Sequence, residues 1–259
     1  MTESTEETFV LVDRHPGGVL VITINRPQAM NAVDSALSTA AGNAVHELSC
    51  DPELLVGIIT GSGKAFCAGA DFKAIARGES FLSAEHPEWR FAGVVQHYID
   101  KPLIAAVNGF ALGGGTEIVL ACDLAVLSST ASLGLPEVTR GLIAGAGGLL
   151  RLPDHMPSKL AAAAVLTGQP ITPVDALRWG LVNAVVEPDL VLTTALRLAR
   201  TIADNAPLAV AVSKRVMSHR RNFGSDWSDA MWAMNNEQLE IVLGSYDAQE
   251  GPTAFAEKR

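Results

Sequence analysis

Two glutamates and the glycine loops around them are the parts of this sequence whose types and spacing could do chemistry. The first group is Val107-Asn108-Gly109-Phe110-Ala111-Leu112-Gly113-Gly114-Gly115-Thr116-Glu117. An apolar strand, Leu103 to Val107, leads into it, and Ile118 to Cys122 reads as a buried helix after it. A strand, a glycine turn and a helix start leave backbone N–H groups facing a ligand with no side chain in the way. A carboxylate one turn into that helix reaches a group held by those donors. Together they can stabilise an anionic oxygen and move a proton beside it. The second acid, Glu137 in Leu133-Gly134-Leu135-Pro136-Glu137, stands among apolar and rigid residues, twenty positions after Glu117. A second glycine loop is Ala65-Phe66-Cys67-Ala68-Gly69-Ala70-Asp71, and four glycines between Gly141 and Gly148 predict another close backbone approach.

The elements that must position these groups follow from periodicity and turn residues. Phe9 to Asp13 and Val19 to Asn25 read as strands joined by a His15-Pro16-Gly17-Gly18 hairpin, and Arg26-Pro27 ends the second. Asp34 caps a helix to about Leu48, with Leu37, Ala41, Ala44, Val45 and Leu48 on one face. Leu55 to Thr60, Asp123 to Leu127 and Ser132 to Leu133 are short strands. Residues 74–88 show no clean period and read as a mobile loop, and Trp89 to Ile99 reads as a helix. Helices follow at 161–166, 173–179, 190–203, 207–221, 226–243 and 248–257, so strands and helices mix to about residue 186 and helices then run alone.

Composition narrows the class. A chain of 259 residues suits one domain with an appendage, and 48% hydrophobic content lets it bury a large core or a subunit interface. Charged residues are 18%, below the usual quarter, which predicts that partners cover part of the surface. The net charge of −9 argues against nucleic acid and acidic membrane surfaces as partners. No apolar run approaches the roughly 20 residues of a membrane span. The segment Met1 to Thr8 is acidic and polar, unlike a signal or transit peptide, and Cys50, Cys67 and Cys122 are too few for a disulfide framework. The expectation is a cytoplasmic protein.

Ala105-Ala106-Val107-Asn108-Gly109 followed by Gly113-Gly114-Gly115-Thr116-Glu117 resembles the signature of the crotonase (enoyl-CoA hydratase) superfamily, and Ala65 to Asp71 is similar to that family's other glycine loop. Both stand in the family's order and near its usual separation, and the resemblance runs from about Phe9 to Arg259. It implies an α/β fold: a crotonase-like spiral of β-β-α units followed by a helical C-terminal region. Residues 1–190 would be the spiral core with the CoA and active sites, and 191–259 a helical trimerisation region. It also implies a homotrimer or a dimer of trimers. Periodicity alone shows only mixed α/β followed by helices.

The activity implied is enoyl-CoA hydration, within fatty acid metabolism. An enoyl thioester accepts water at its β-carbon only if the charge arriving on the thioester oxygen is stabilised, and each backbone donor supplies about 3 kcal/mol or more. The resemblance places the two donors on Ala70 and Gly114. Glu117 and Glu137 match the hydratase acid pair, holding a water between them, Glu117 as base and Glu137 as acid. Gly145 matches a glycine whose N–H helps position substrate or water, although Ala144 stands where proline is usual. Coenzyme A, part of the substrate rather than a separate cofactor, would lie near Gln28, Ala29, Met30, Ala68 and Ala70, with Lys73 in reach of a phosphate. Phe255 and Lys258 match a pair that contacts the nucleotide bound to the adjacent subunit. Such lysines answer part of the difficulty of binding a polyanion to a chain of net charge −9.

Other readings fit less well. Gly61-Ser62-Gly63-Lys64 lacks the P-loop's glycine at Ile58 and its hydroxyl residue at Ala65. No serine lies in a Gly-x-Ser-x-Gly elbow, as a serine hydrolase on this fold would need. Cys67 has no cationic neighbour in sequence and reads as packing, the six histidines show no ligand spacing, and Asp71 reads as a helix cap. Met231-Trp232-Ala233-Met234 reads as core or interface. A non-catalytic acyl-CoA binder would not need both acids. An enoyl-CoA isomerase, or a dehydratase for a special acyl-CoA, stays open, because Ala176 to Gly180 and Gln249 to Arg259 resemble the carnitinyl-CoA dehydratase-like branch.

Overall fold

β1 (Val10–His15) and β2 (Val19–Ile24) form the hairpin that its Pro-Gly-Gly turn predicts, with His15 opposite Val19. The computed structural model describes residues 8–258. The chain continues through α1 (Ser35–Cys50), β3 (Val56–Gly61), β4 (Ala65–Cys67), α2 (Phe72–Ala76), β5 (Leu103–Val107), β6 (Phe110–Leu112), α3 (Gly114–Ala121), β7 (Leu124–Ser128) and β8 (Leu133–Gly134). It then runs through α4 (Gly148–His155), α5 (Ser158–Thr167), α6 (Pro173–Arg178), β9 (Ala184–Val186), α7 (Val191–Ala203), α8 (Pro207–His219), α9 (Asp229–Leu243) and α10 (Tyr246–Glu257).

The order is that of a spiral. β3-β4-α2, β5-β6-α3 and β7-β8-α4 are three successive turns. The first strand of each turn joins a six-stranded sheet, β1-β2-β3-β5-β7-β9, and the second joins a three-stranded sheet, β4-β6-β8. Apart from the hairpin all pairings are parallel, with Ile59 opposite Ala105, Ala105 opposite Ala125, and Ala111 opposite both Cys67 and Leu133. Parallel strands covered on both faces need continuous apolar runs. Val56 to Ile59 and Leu103 to Val107 supply them, and every residue in both is buried.

Alternation sorts the side chains to two cores. Leu20, Ile22, Ile59, Ala105 and Leu127 face α1 and α3, while Val19, Val21, Ile58, Ile104 and Val126 face α7. α7 meets that second face with Val191, Ala195 and Ala199, one residue per turn. α7 therefore belongs to a core of the sheet although it lies beyond residue 190. α8 is tied on by charge: the buried Lys214 Nζ lies 2.7 Å from Asp123 Oδ2 and donates to Lys101 O at 2.8 Å.

The expected helix over 89–99 does not form. Pro87–Trp89 is a single 3-10 turn, after which Arg90, Ala92 and Gly93 take positive φ values of 61°, 56° and 65°. Tertiary contacts override the local preference. A Cβ on Gly42 would lie 2.6 Å from the Trp89 ring, and one on Gly93 would meet the backbone of Ser38 and Gly42, so this segment is pressed onto α1. The Trp89 ring stacks between His86 and His97, with centroids 3.9 and 4.0 Å away. Residues 74–88, expected as a mobile loop, begin with the end of α2 and are pinned to α1, where Ser38 Oγ donates to Phe81 O at 2.6 Å and Thr39 Oγ1 pairs with Ser83 Oγ at 3.0 Å.

Candidate active site

A cavity of about 450 Å³ opens where the ends of β4 and β6 meet the start of α3, and Ala70, Gly114, Glu117, Glu137 and Gly145 all border it. The Ala70 N–H is left out of the backbone ladder, because Val33 N donates to Gly69 O and Asp71 N donates to Val33 O on either side of it. Gly114 is the first residue of α3, so its N–H has no partner within the helix. Glycine is required here on steric grounds. A Cβ on Gly115 would collide with Cys67 O, one on Gly114 with the Phe91 ring, and one on Gly69 would lie 3.5 Å from Gly114 N. The two loops thus run against each other, and Ala70 and Gly114 both border one cavity.

Glu117 is fully buried in the first turn of α3, and its Oε1 accepts from Gly148 N at 2.8 Å. Burial pushes its carboxyl up to about 7; the N–H groups of Gly148 and Ala146 oppose that rise, and the neighbouring Glu137 adds to it. Gly148 opens α4, so the positive end of that helix faces the carboxylate. Glu137 begins a 3-10 turn running to Arg140, and its Oε1 lies 3.2 Å from where a Cβ on Gly113 would stand. Burial raises its carboxyl above the ordinary value, and its buried Oε2 has no hydrogen-bond partner among the described residues. Two carboxyls tuned towards neutrality beside two open backbone donors can pass protons to and from a bound acyl group.

Polar side chains behind the cavity lock the loops. Thr116 Oγ1 lies 2.6 Å from Ala111 O and accepts from Gly134 N at 2.9 Å, joining α3 to β6 and β8. The buried Asn31 donates to Ser62 O and Ala65 O at 2.9 and 2.7 Å and accepts from Arg26 N at 2.8 Å. Asp71 caps α2, accepting from Lys73 N and Ala74 N, and meets Arg26 Nη1 at 2.8 Å. Burial pushes its carboxyl up, but the guanidinium and the two N–H groups outweigh burial and hold it low.

The other expected residues lie at the cavity edge or outside it. Gly145 borders the cavity, but its N–H donates to Ile143 O at 2.8 Å, so the N–H groups that this run turns on Glu117 are those of Ala146 and Gly148. Ala68 lines the cavity and its N–H donates to Met30 O at 3.0 Å, so the 3-10 turn that holds Gln28 and Ala29, with Met30 as its left-handed cap, is tied to a wall residue. Lys73 is exposed and lies outside the cavity wall. Phe255 and Lys258 are exposed at the end of α10, away from the cavity of their own chain. Cys67 is buried, and burial pushes its thiol up to about 12, the state of a packing residue rather than a nucleophile. Arg90, Phe91 and Arg140 are among the wall residues that carried no motif in sequence. Only the unusual backbone at Arg90 marks one of them, and that is visible in three dimensions alone.

Wound parallel sheets with paired backbone donors and a carboxylate pair at their ends define a crotonase-type scaffold for acyl thioesters. Comparison with known proteins agrees. Residues 14–259 match the family model described as Enoyl-CoA hydratase/isomerase, and the chain belongs to that family. It is 44% identical over 246 residues to a carnitinyl-CoA dehydratase of Salmonella arizonae, covering 94% of each chain. Among solved structures, an enoyl-CoA hydratase from Mycobacterium marinum superposes with a TM-score of 0.91 at 45% identity, over 98% of this chain and 97% of that one. A carnitinyl-CoA hydratase from Mycobacterium avium is 54% identical, with a TM-score of 0.79, over 97% and 96%.

Proposed function

We propose that this protein is a hydro-lyase that adds water reversibly across the 2,3 double bond of an enoyl-CoA thioester. The observation that carries this reading is the meeting of Glu117, Glu137 and the free Ala70 and Gly114 N–H groups around one cavity. In the hydration direction the Ala70 and Gly114 donors receive the charge that gathers on the thioester oxygen as water attacks the β-carbon. Glu117, whose anion accepts two backbone N–H groups, takes the proton from water. Glu137, whose buried Oε2 has no hydrogen-bond partner among the described residues, delivers a proton to the α-carbon. Elimination reverses each step, so hydration and dehydration are one machine. The relatives named for carnitinyl-CoA favour a second reading in which the physiological direction is dehydration of a 3-hydroxyacyl-CoA. An isomerase needs only one of the two acids.

The CoA portion lies along Gln28 to Met30 and Ala68, with Lys73 outside the cavity for a phosphate. The region after α7 packs against further copies in a trimer. Trp232, Tyr246 and Phe255 are exposed on α9 and α10, a pattern suited to an interface. No cofactor is assigned. Among the described residues no helix is long and apolar enough to cross a membrane.

Loss of the ultraviolet absorbance of crotonyl-CoA tests the reading. Wild type is expected to bleach it and Glu137→Gln to do so at least about a hundredfold more slowly, with CoA binding retained. Equal rates in the two proteins would end the two-carboxylate assignment.

A further inference from the structure

The cavity that the two glutamates border is also bordered by two arginines, Arg90 and Arg140, both exposed residues. Among the described residues neither has a carboxylate partner, in a chain with 28 acidic side chains against 19 basic ones. Most arginines near an acid in this fold are engaged: Arg26 meets Asp34 and Asp71, Arg215 meets Asp100, and Arg221 meets Asp154. Arg90 is placed by a backbone of φ 61° and ψ −149°, a conformation that non-glycine residues adopt only where the surroundings impose it, and which gathers at ligand clamps. The imposing contacts are next door, since Trp89 packs on Gly42 and the Phe91 ring occupies the space beside Gly114. Arg140 closes the 3-10 turn that Glu137 opens, so it stands one turn from the proposed acid. Other side chains of the wall, such as Phe72, Phe81 and Leu82, are apolar.

We propose that Arg90 and Arg140 set acyl specificity by charge: the cavity favours an enoyl chain whose far end carries a carboxylate and rejects one that ends in a quaternary ammonium. The proposal rests on the cavity being the enoyl-CoA site. The two acids in the wall do not cancel the guanidiniums. Burial raises both carboxyls, Glu117 to about 7, so near that pH the pair carries less than two full negative charges, whereas each arginine keeps its charge. A carboxylate one carbon beyond the β-carbon can take paired N–H bonds from a guanidinium. A trimethylammonium at that carbon has no proton to donate and cannot shed its charge, so it meets the guanidiniums as an unrelieved like charge. The tail preference of this chain is then opposite to the carnitinyl group in the names of several relatives.

Three substrates identical through the β-carbon test it: crotonyl-CoA, with a methyl end; glutaconyl-CoA, with a carboxylate; and crotonobetainyl-CoA, with a trimethylammonium. In wild type, kcat/KM for the carboxylate ester is expected to exceed that for the trimethylammonium ester by at least about tenfold, with the methyl ester between them. Arg90→Gln and Arg140→Gln should each shrink that ratio severalfold. The ratio is the readout because a general loss, including one caused by guanidiniums holding CoA phosphates, cancels in it. Equal or reversed rates in wild type, or a ratio that neither variant moves, overturns the proposal. Calorimetric Kd values for the saturated esters butyryl-CoA, glutaryl-CoA and γ-butyrobetainyl-CoA separate this from the hydratase reading. If no enoyl ester is hydrated but the Kd values follow tail charge, the charge filter stands and the hydratase reading falls. If the Kd values ignore tail charge, the filter falls.

Discussion

Gly148 N donates to Glu117 Oε1 at 2.8 Å across 31 positions of sequence, so the proposed base is held by the first residue of the next α-helix, α4. A Cβ at position 148 would lie 3.0 Å from that same oxygen and 3.0 Å from both Ala144 Cβ and Leu135 Cδ1. Gly148→Ala should displace α4 from the carboxyl with few other consequences for the sheets. The expected outcome is a fall of about tenfold or more in kcat/KM on crotonyl-CoA and a stability loss of about 1–2 kcal/mol by urea unfolding. Unchanged kinetics would show that Glu117 does not depend on this bond.

Glu117 also sets a pH signature. Its carboxyl titrates at about 7 in the folded protein against an ordinary 4.5. Below 4.5 it is protonated folded or unfolded and costs nothing. Between 4.5 and 7 the unfolded chain releases the proton and the folded one keeps it, so stability falls as pH rises, by about 3 kcal/mol in all. Glu117→Gln keeps the acceptor for Gly148 N and removes the titration. The variant should be more stable than wild type at pH 8, by up to that amount, and equal to it near pH 4. Urea midpoints at the two pH values measure the difference. A variant less stable at pH 8 than at pH 4, relative to wild type, would contradict the buried-acid account. In wild type, kcat/KM should rise with an apparent pKa near 7 as the base ionises.

The contact between α3 and β4 gives a third expectation. A Cβ on Gly115 would run into Cys67 O, a backbone atom that cannot swing aside. Gly115→Ala should therefore force the Ala70 loop and the α3 start apart. Stability should drop by about 1–3 kcal/mol, and kcat should fall more steeply than affinity for free CoA. Loss of CoA affinity in proportion to kcat would instead mean that the whole loop had unfolded.

How much of this could be read from residues alone varies with how local each cause is. β5 and α3 were readable because an apolar pentad, three glycines and an acid lie within fifteen positions, and hairpin and capping residues announced β1, β2 and α1 in the same way. That Ala70 and Gly114 share a cavity needed the family resemblance, since nothing local joins positions so far apart. The helix expected over 89–99 failed because Gly93 meets Gly42 and Phe91 occupies the space beside Gly114, contacts without any local trace. The tight turn from Gly145 N to Ile143 O, which leaves the N–H groups of Ala146 and Gly148 to face Glu117, has no trace in the sequence. Arg90 and Arg140 look like ordinary surface charges until the fold brings them to one wall.

Arg26 carries the last expectation, because it braces the loop that bears Ala70. Its Nη1 reaches Asp71 Oδ2 at 2.8 Å, Asp34 Oδ2 at 3.1 Å and Ala32 O at 2.9 Å, with both partners of the Asp71 pair largely buried. Arg26→Met would strand Asp71 as a buried anion, and breaking one side of such a pair costs about 3 kcal/mol. The carboxyl of Asp71 is held below its ordinary 3.8, so the stability that the pair contributes is complete above that value and is lost as pH falls through the lower folded value. Wild type should exceed the variant by about 3 kcal/mol at pH 7, with the gap closing below pH 4, as followed by chemical unfolding across that range. Because the same loop presents the Ala70 N–H and lies beside Met30, KM for crotonyl-CoA should rise in the variant as well. A stability gap that stayed constant down to pH 3 would assign the loss to packing of the Arg26 stem rather than to its charge.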